Sequence, residues 1–233
     1  MLAVLQRPAE FMLGAGKSLH RSMNTYDRAD PDSDTVRAHP WTVATADPNH
    51  RYWDFRANPA LIRSSLEDFL PWSTWPAIDT FYSLLEWLNG ADSILESNDC
   101  AFEGPRTNST LQFPKALEVT GRLMILWREL PLNLSRANTE WLKGAIHHYL
   151  TQIAPALDYG VVGTTVFHVK YVTLPLPDDQ QFGFQLMLSF WSWGDTEDEV
   201  MGNLDRTVQN IWEALRAVVR EAKESISSYA PGA

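Results

Sequence analysis

The sequence predicts an α+β fold: a two-layer antiparallel sheet of about four strands from two helix-plus-hairpin units, a long C-terminal helix and an irregular N-terminal segment. Three observations carry that expectation. Apolar residues recur at helical spacing in four separate stretches. Four other stretches alternate apolar and polar residues at the two-residue period of a half-buried strand. The order from Ser73 onward is helix, strand, strand, helix, strand, strand, helix, a repeat of element order without repeated residues.

From Met1 to Asn58 the pattern is irregular, broken by Gly14, Gly16, Pro31, Pro40, Pro48 and the acid-rich stretch Asp30 to Asp34. A short helix near residues 8–19 and a strand near 41–44 are the elements expected there. The expected organisation is an N-terminal segment, 1–58, packed on an α+β domain, 59–233. Asn58-Pro59 reads as a helix start, with Leu61, Ile62, Leu66, Phe69 and Leu70 on one face until Pro71. A second helix starts at Ser73/Thr74 with Pro76 in its first turn, turns Ile78, Phe81, Leu85 and Leu88 inward, and stops at Asn89-Gly90.

Two extended stretches follow, residues 94–102 and 117–130, joined by a loop at Gly104 to Asn108. In the second, Leu117, Val119, Leu123, Ile125 and Trp127 point one way and Glu118, Thr120, Arg122 and Arg128 the other, with Met124 and Leu126 as exceptions. Asn138 or Thr139 then caps a helix whose Leu142, Ala145, Ile146, Tyr149, Leu150, Ile153 and Leu157 share a face. Strands at 161–174 and 182–193 flank Pro175 to Asp179; Phe182, Phe184, Leu186, Leu188 and Phe190 form the core side of the second. Thr196 and Glu199 have capping-box spacing at the start of the last helix, whose stripe is Val200, Leu204, Val208, Ile211, Leu215 and Val219.

Composition narrows the function classes. The chain is 45% apolar and 21% charged, so a packed core is expected. No apolar run approaches the ~18 residues of a membrane helix, and Met1 to Leu5 meets Gln6, Arg7 and Pro8 too early for a signal peptide. Cys100 is the single cysteine, which excludes an intrachain disulfide; a cytoplasmic location is expected. Residues 1–60 carry seven basic and seven acidic residues, whereas residues 61–233 carry 12 and 22, so the whole net charge of −10 arises in the later part. Such a balance disfavours nucleic acid and anionic membrane and favours a basic partner.

Motifs for chemistry are weak. Gly16-Lys17-Ser18 matches the end of a phosphate loop, but the required earlier glycine is Phe11 and no apolar strand precedes it. His147 and His148 project about 100° apart on a helix and cannot share an ion, so two solvated histidines are expected; His20, His39 and His50 have no ligand spacing. Cys100, Asp99 and His168 supply the residue types of a thiol mechanism, yet Asp99 and Cys100 fall on opposite sides of a regular strand. Glu96, Asp99, Glu103 and Glu118 read as solvated edge carboxylates. No metal site and no cofactor are expected.

The ten tryptophans stand out. Trp191 and Trp193 fall opposite the apolar face of their strand, just before Asp195, Glu197, Asp198 and Glu199. Two accounts compete: packing against the N-terminal segment, or a partner surface formed by Trp191, Trp193, Asp195, Glu197 and Asp198. The sequence thus points to a non-catalytic module holding a basic protein, by analogy of type with acidic immunity proteins that neutralise toxins. The alternatives are a small-molecule pocket or enzyme site where Arg122, His168, Lys170 and Gln185 converge on a polar sheet face, and a subunit of a homo-oligomer.

Overall fold

The computed structural model describes residues 25–28, 35–38, 55–109, 113–154, 159–173 and 176–229. The helix and strand expected near residues 8–19 and 41–44, the Gly14 to Ser18 motif, Leu157 and the three N-terminal histidines lie outside the described residues.

The fold is α+β. Four antiparallel strands, β3 (Leu95–Thr107), β4 (Leu117–Trp127), β5 (Gly160–Thr173) and β6 (Leu176–Gly194), lie in the order β3-β4-β6-β5. The two hairpins abut through β4 and β6, the second strand of each. The unit repeated along the chain is therefore also repeated about the middle of the sheet. Two four-residue strands, β1 (Thr25–Arg28) and β2 (Thr35–Ala38), run parallel to the outer edge of β5. Helices α2 (Pro76–Asn89), α4 (Arg136–Ile153) and α5 (Glu197–Tyr229) form the second layer. The short helices α1 (Ile62–Ser65) and α3 (Leu130–Asn133) lead into α2 and α4.

Alpha-helix α5 lies over β6 and β4 and against both α2 and α4. Its predicted stripe, Val200, Leu204, Val208, Ile211, Leu215 and Val219, is buried throughout. Two polar bonds tie its flanks: Thr80 donates to Asp205 at 2.6 Å from α2, and Tyr149 to Glu221 at 3.0 Å from α4. Leu123, Ile125, Val162, Val166, Leu186, Leu188 and Phe190 meet these helices in the main core. At Gly121 the strand comes so close to Phe190 that an added Cβ would lie 2.3 Å from its ring.

Four local expectations are corrected. The helix expected over residues 59–70 breaks at Leu66, and Asn58 makes no side-chain cap bond. Its apolar residues divide, Ile62 and Phe69 being buried and Leu70 exposed; Phe69 turns inward to stack between Phe81 and Phe102. Gly104 to Thr107 is strand rather than loop, because a register irregularity between Glu103 and Arg106 admits Pro105 without demanding a ladder donor. Helix α4 starts three or four residues earlier than a cap at Asn138 or Thr139 would place it; Ser135 precedes it and Asn138 instead donates to Leu132 O. At α5, Thr196 Oγ1 accepts from Glu199 N at 3.2 Å as a capping box requires, but Glu199 Oε2 accepts from Asp195 N at 2.7 Å, one residue before the expected amide.

Candidate functional site

The expected partner surface lies where β6 ends and α5 begins. Strand alternation places Trp191 and Trp193 on the sheet face away from the helices, opposite Thr120 and Glu118 of β4. Both are buried, at 3% and 1% exposure, and Trp193 stacks on Phe113 with ring centroids 4.0 Å apart. Neither indole offers its ring to a partner in this state. Both indoles are packed, but the ring against Trp193 is Phe113, in the loop before β4, and not part of the N-terminal segment 1–58 that the first account named. Alternation identifies which side a residue takes and leaves open whether that side is wet.

The acids beyond them behave differently from one another. Asp195 and Glu199 converge on Lys115, whose ammonium donates to Asp195 Oδ2 at 2.7 Å and to Glu199 Oε1 at 2.8 Å, while Asp195 Oδ1 accepts from the amide of Ala116. These bonds hold both carboxyls below their ordinary range and raise the lysine. Asp195 thus fastens the loop before β4 to the start of α5. Glu197 and Asp198 are exposed, on the first turn of α5, and form no ion pair with a described residue. A first-turn carboxylate also steadies a helix through its dipole.

The pocket expected from Arg122, His168, Lys170 and Gln185 does not form. Gln185 pairs with Phe167 and Arg122 with Ser189, which places both on the face away from the helices; His168 pairs with Phe184 and Lys170 with Phe182 on the other face. An even-numbered separation within β5 and an odd one across the pair split the set. Gln185 instead donates to Asn98 Oδ1, and Arg122 pairs with Asp99 at 3.3 Å.

The carboxylates expected at a solvated edge are each held by an arginine. Arg56 reaches Glu96, whose side chain is fully buried, at 2.9 Å; Arg106 bonds Glu118 at 3.0 Å and also Glu103. The thiol constellation is split as well: Cys100 pairs with Leu123 on the helix side, Asp99 with Met124 on the other. Burial, reinforced by the Asp99 carboxylate, pushes the Cys100 thiol far up, against formation of a nucleophilic thiolate. His147 is corrected from solvated to half-buried, its Nε2 lying 2.9 Å from Thr164 Oγ1, while His148 is exposed beside Gln152. Among the described residues no group of three His, Cys, Asp or Glu side chains could hold a metal ion, and no helix is long and apolar enough to cross a membrane.

Two features had little signal in the sequence. One is a polar centre on the second sheet face, where the side chains of Thr165, Gln185 and Ser189 are buried around Met124 and Met187. The other is a ladder of rings on the β5–β6 hairpin, where His168 lies 5.6 Å from Phe182 and 5.4 Å from Phe184. Comparison of the chain with family models, with curated proteins and with solved structures returns no match, so the functional reading stands on this geometry alone.

Proposed function

We propose that the chain is a non-catalytic protein-binding module whose acidic surface holds a basic partner, with a nuclease toxin neutralised by an immunity-type protein as the partner class best suited to the charge. The supporting observation is how the charges are spent. Arg56, Arg63, Arg106, Lys115 and Arg122 are engaged by the chain's own carboxylates. Asp68, Glu129, Glu197, Asp198 and Glu213 are exposed and meet no cation among the described residues. The excess negative charge therefore faces solvent, where it steers a cationic protein and competes for a groove shaped to hold phosphate.

Association kinetics test this reading, with the product of the neighbouring gene as the first basic partner to immobilise. Reversing Glu197 and Asp198 to Lys should slow association about tenfold at low salt and flatten its salt dependence, leaving dissociation nearly unchanged. Asp195 is left intact because it holds Lys115. Glu213→Lys, on the same helix but away from its start, separates a local from a global charge effect. Wild-type kinetics for the double reversal, with the fold intact by melting, would remove this surface from the interface. A mass in solution above that of one chain would favour the assembly-subunit reading instead.

A further inference from the structure

Strand β4 pairs with β6 only as far as Ile125 opposite Leu186, whereas β5 and β6 remain paired out to Thr173 and Leu176. The outer half of the β5–β6 hairpin therefore extends past β4. On its helix-side face stands a continuous ladder: the Arg136 guanidinium 5.8 Å from the centre of the Phe184 ring, then His168 against both phenylalanines, then Lys170 Nζ 5.5 Å from the centre of Phe182. Phe182 is 57% exposed, the most exposed of the large apolar side chains described. His168 is also exposed. No carboxylate among the described residues pairs with Lys170 or His168, whereas Arg136 is engaged by Glu140 at 3.4 Å.

From this arrangement we propose that the Phe182 face of the hairpin docks a short acidic peptide segment of a partner protein, one carrying an aromatic side chain next to its carboxylates. The aromatic group would cover Phe182 and His168, and a carboxylate would meet Lys170. Covering the rings desolvates the flanking cations and strengthens their attraction to both ring and carboxylate. The ladder is a sheet face and not a concavity, so a small molecule would leave most of its own surface in water, whereas a chain segment can lie along it. A nucleic acid strand could also stack on the rings, but it brings a phosphate with every nucleotide to a chain of net charge −10, where a short peptide brings only the carboxylates that meet Lys170.

The test is fluorescence anisotropy of the full chain with a labelled pentapeptide, Gly-Asp-Trp-Glu-Gly. Three comparison probes are the same peptide with Ala for Trp, its Lys-Trp-Lys counterpart, and a twelve-residue oligothymidylate. The acidic Trp peptide should bind with a Kd below about 1 mM, the weak end of specific recognition. Affinity should fall about tenfold with Phe182→Ala and again with Lys170→Glu, the scale of a single exposed anchor, while melting curves stay those of wild type. Loss of affinity with Ala in place of Trp, and in the Lys peptide, is also expected. The proposal is overturned by no binding up to about 1 mM, by equal binding of the basic peptide, by wild-type affinity in both variants, or by binding of the oligothymidylate alone.

Discussion

The carboxamide of Asn133 stands in for a missing strand beside Trp127. Its Oδ1 accepts from the Trp127 amide at 2.8 Å and its Nδ2 donates to the Trp127 carbonyl at 2.6 Å, so the last residue of β4 is satisfied on both sides of the backbone. Asn133 is 1% exposed. Replacing it by Ala leaves a buried donor and acceptor with no substitute, and stability should fall by about 2–4 kcal/mol. Urea unfolding with an unchanged m-value is the measurement; a loss under about 1 kcal/mol would mean that water replaces the side chain.

The Lys115 clamp on Asp195 and Glu199 predicts an acid-side effect. Both carboxyls lie below their ordinary range, mainly because each accepts from Lys115. A carboxyl depressed on folding contributes stability that is complete above its unfolded value and is lost as pH falls through its lower folded value. With Lys115→Gln both carboxyls should move up toward ordinary values, and that part of the acid dependence should vanish. Carbon-detected NMR titration of the two side chains reads it directly, and unmoved titration curves would show that Lys115 does not hold them.

Gly121 and Phe190 should prove energetically coupled. Gly121→Ala places a methyl group against the buried Phe190 ring and should cost about 1–3 kcal/mol, the usual range for overpacking. Phe190→Leu frees room at the same spot, so the double variant should be more stable than the sum of the two losses. Additive losses in this cycle would show that the backbone moves instead.

Cys100 should be slow to alkylate in the folded chain. Cys100 is half-buried and faces the helix layer, and desolvation pushes its thiol up, so iodoacetamide should label it more slowly than a free cysteine, and Cys100→Ser should leave partner binding unchanged. Rapid labelling in native buffer would revive a thiol role.

The sequence made the long elements legible where one-sided burial forces a period. Val200 to Val219 and Phe184 to Phe190 followed their expected faces because α5 and β6 each present one side to a single core, whereas Phe182, expected on that core side, is exposed where the hairpin outruns β4. Beta-strands β1 and β2 left no trace, since four residues, Thr-Tyr-Asp-Arg and Thr-Val-Arg-Ala, are too short to show alternation. The helix expected after Asn58 failed for another reason: its start signal is local, while the position of Phe69 between Phe81 and Phe102 is tertiary. The candidate site was legible in part. Alternation placed Trp191 and Trp193 on the correct side, but their burial depends on packing such as that of Phe113, which no strand pattern encodes. Grouping Arg122 with His168 failed because the parity of one strand relative to another is set by register, and register is invisible in either strand alone.

The central place of α5 has a consequence for how the chain is made. This 33-residue helix leaves the ribosome after all four long strands, and both halves of the sheet rest their apolar side on it. At about 5–20 residues per second, its synthesis takes roughly 2–7 seconds, during which four finished strands hold an uncovered oily face. The nascent protein is therefore most vulnerable to aggregation during that interval. Chains cut short ahead of Glu197 should be clients of chaperones and proteases, however complete their hairpins.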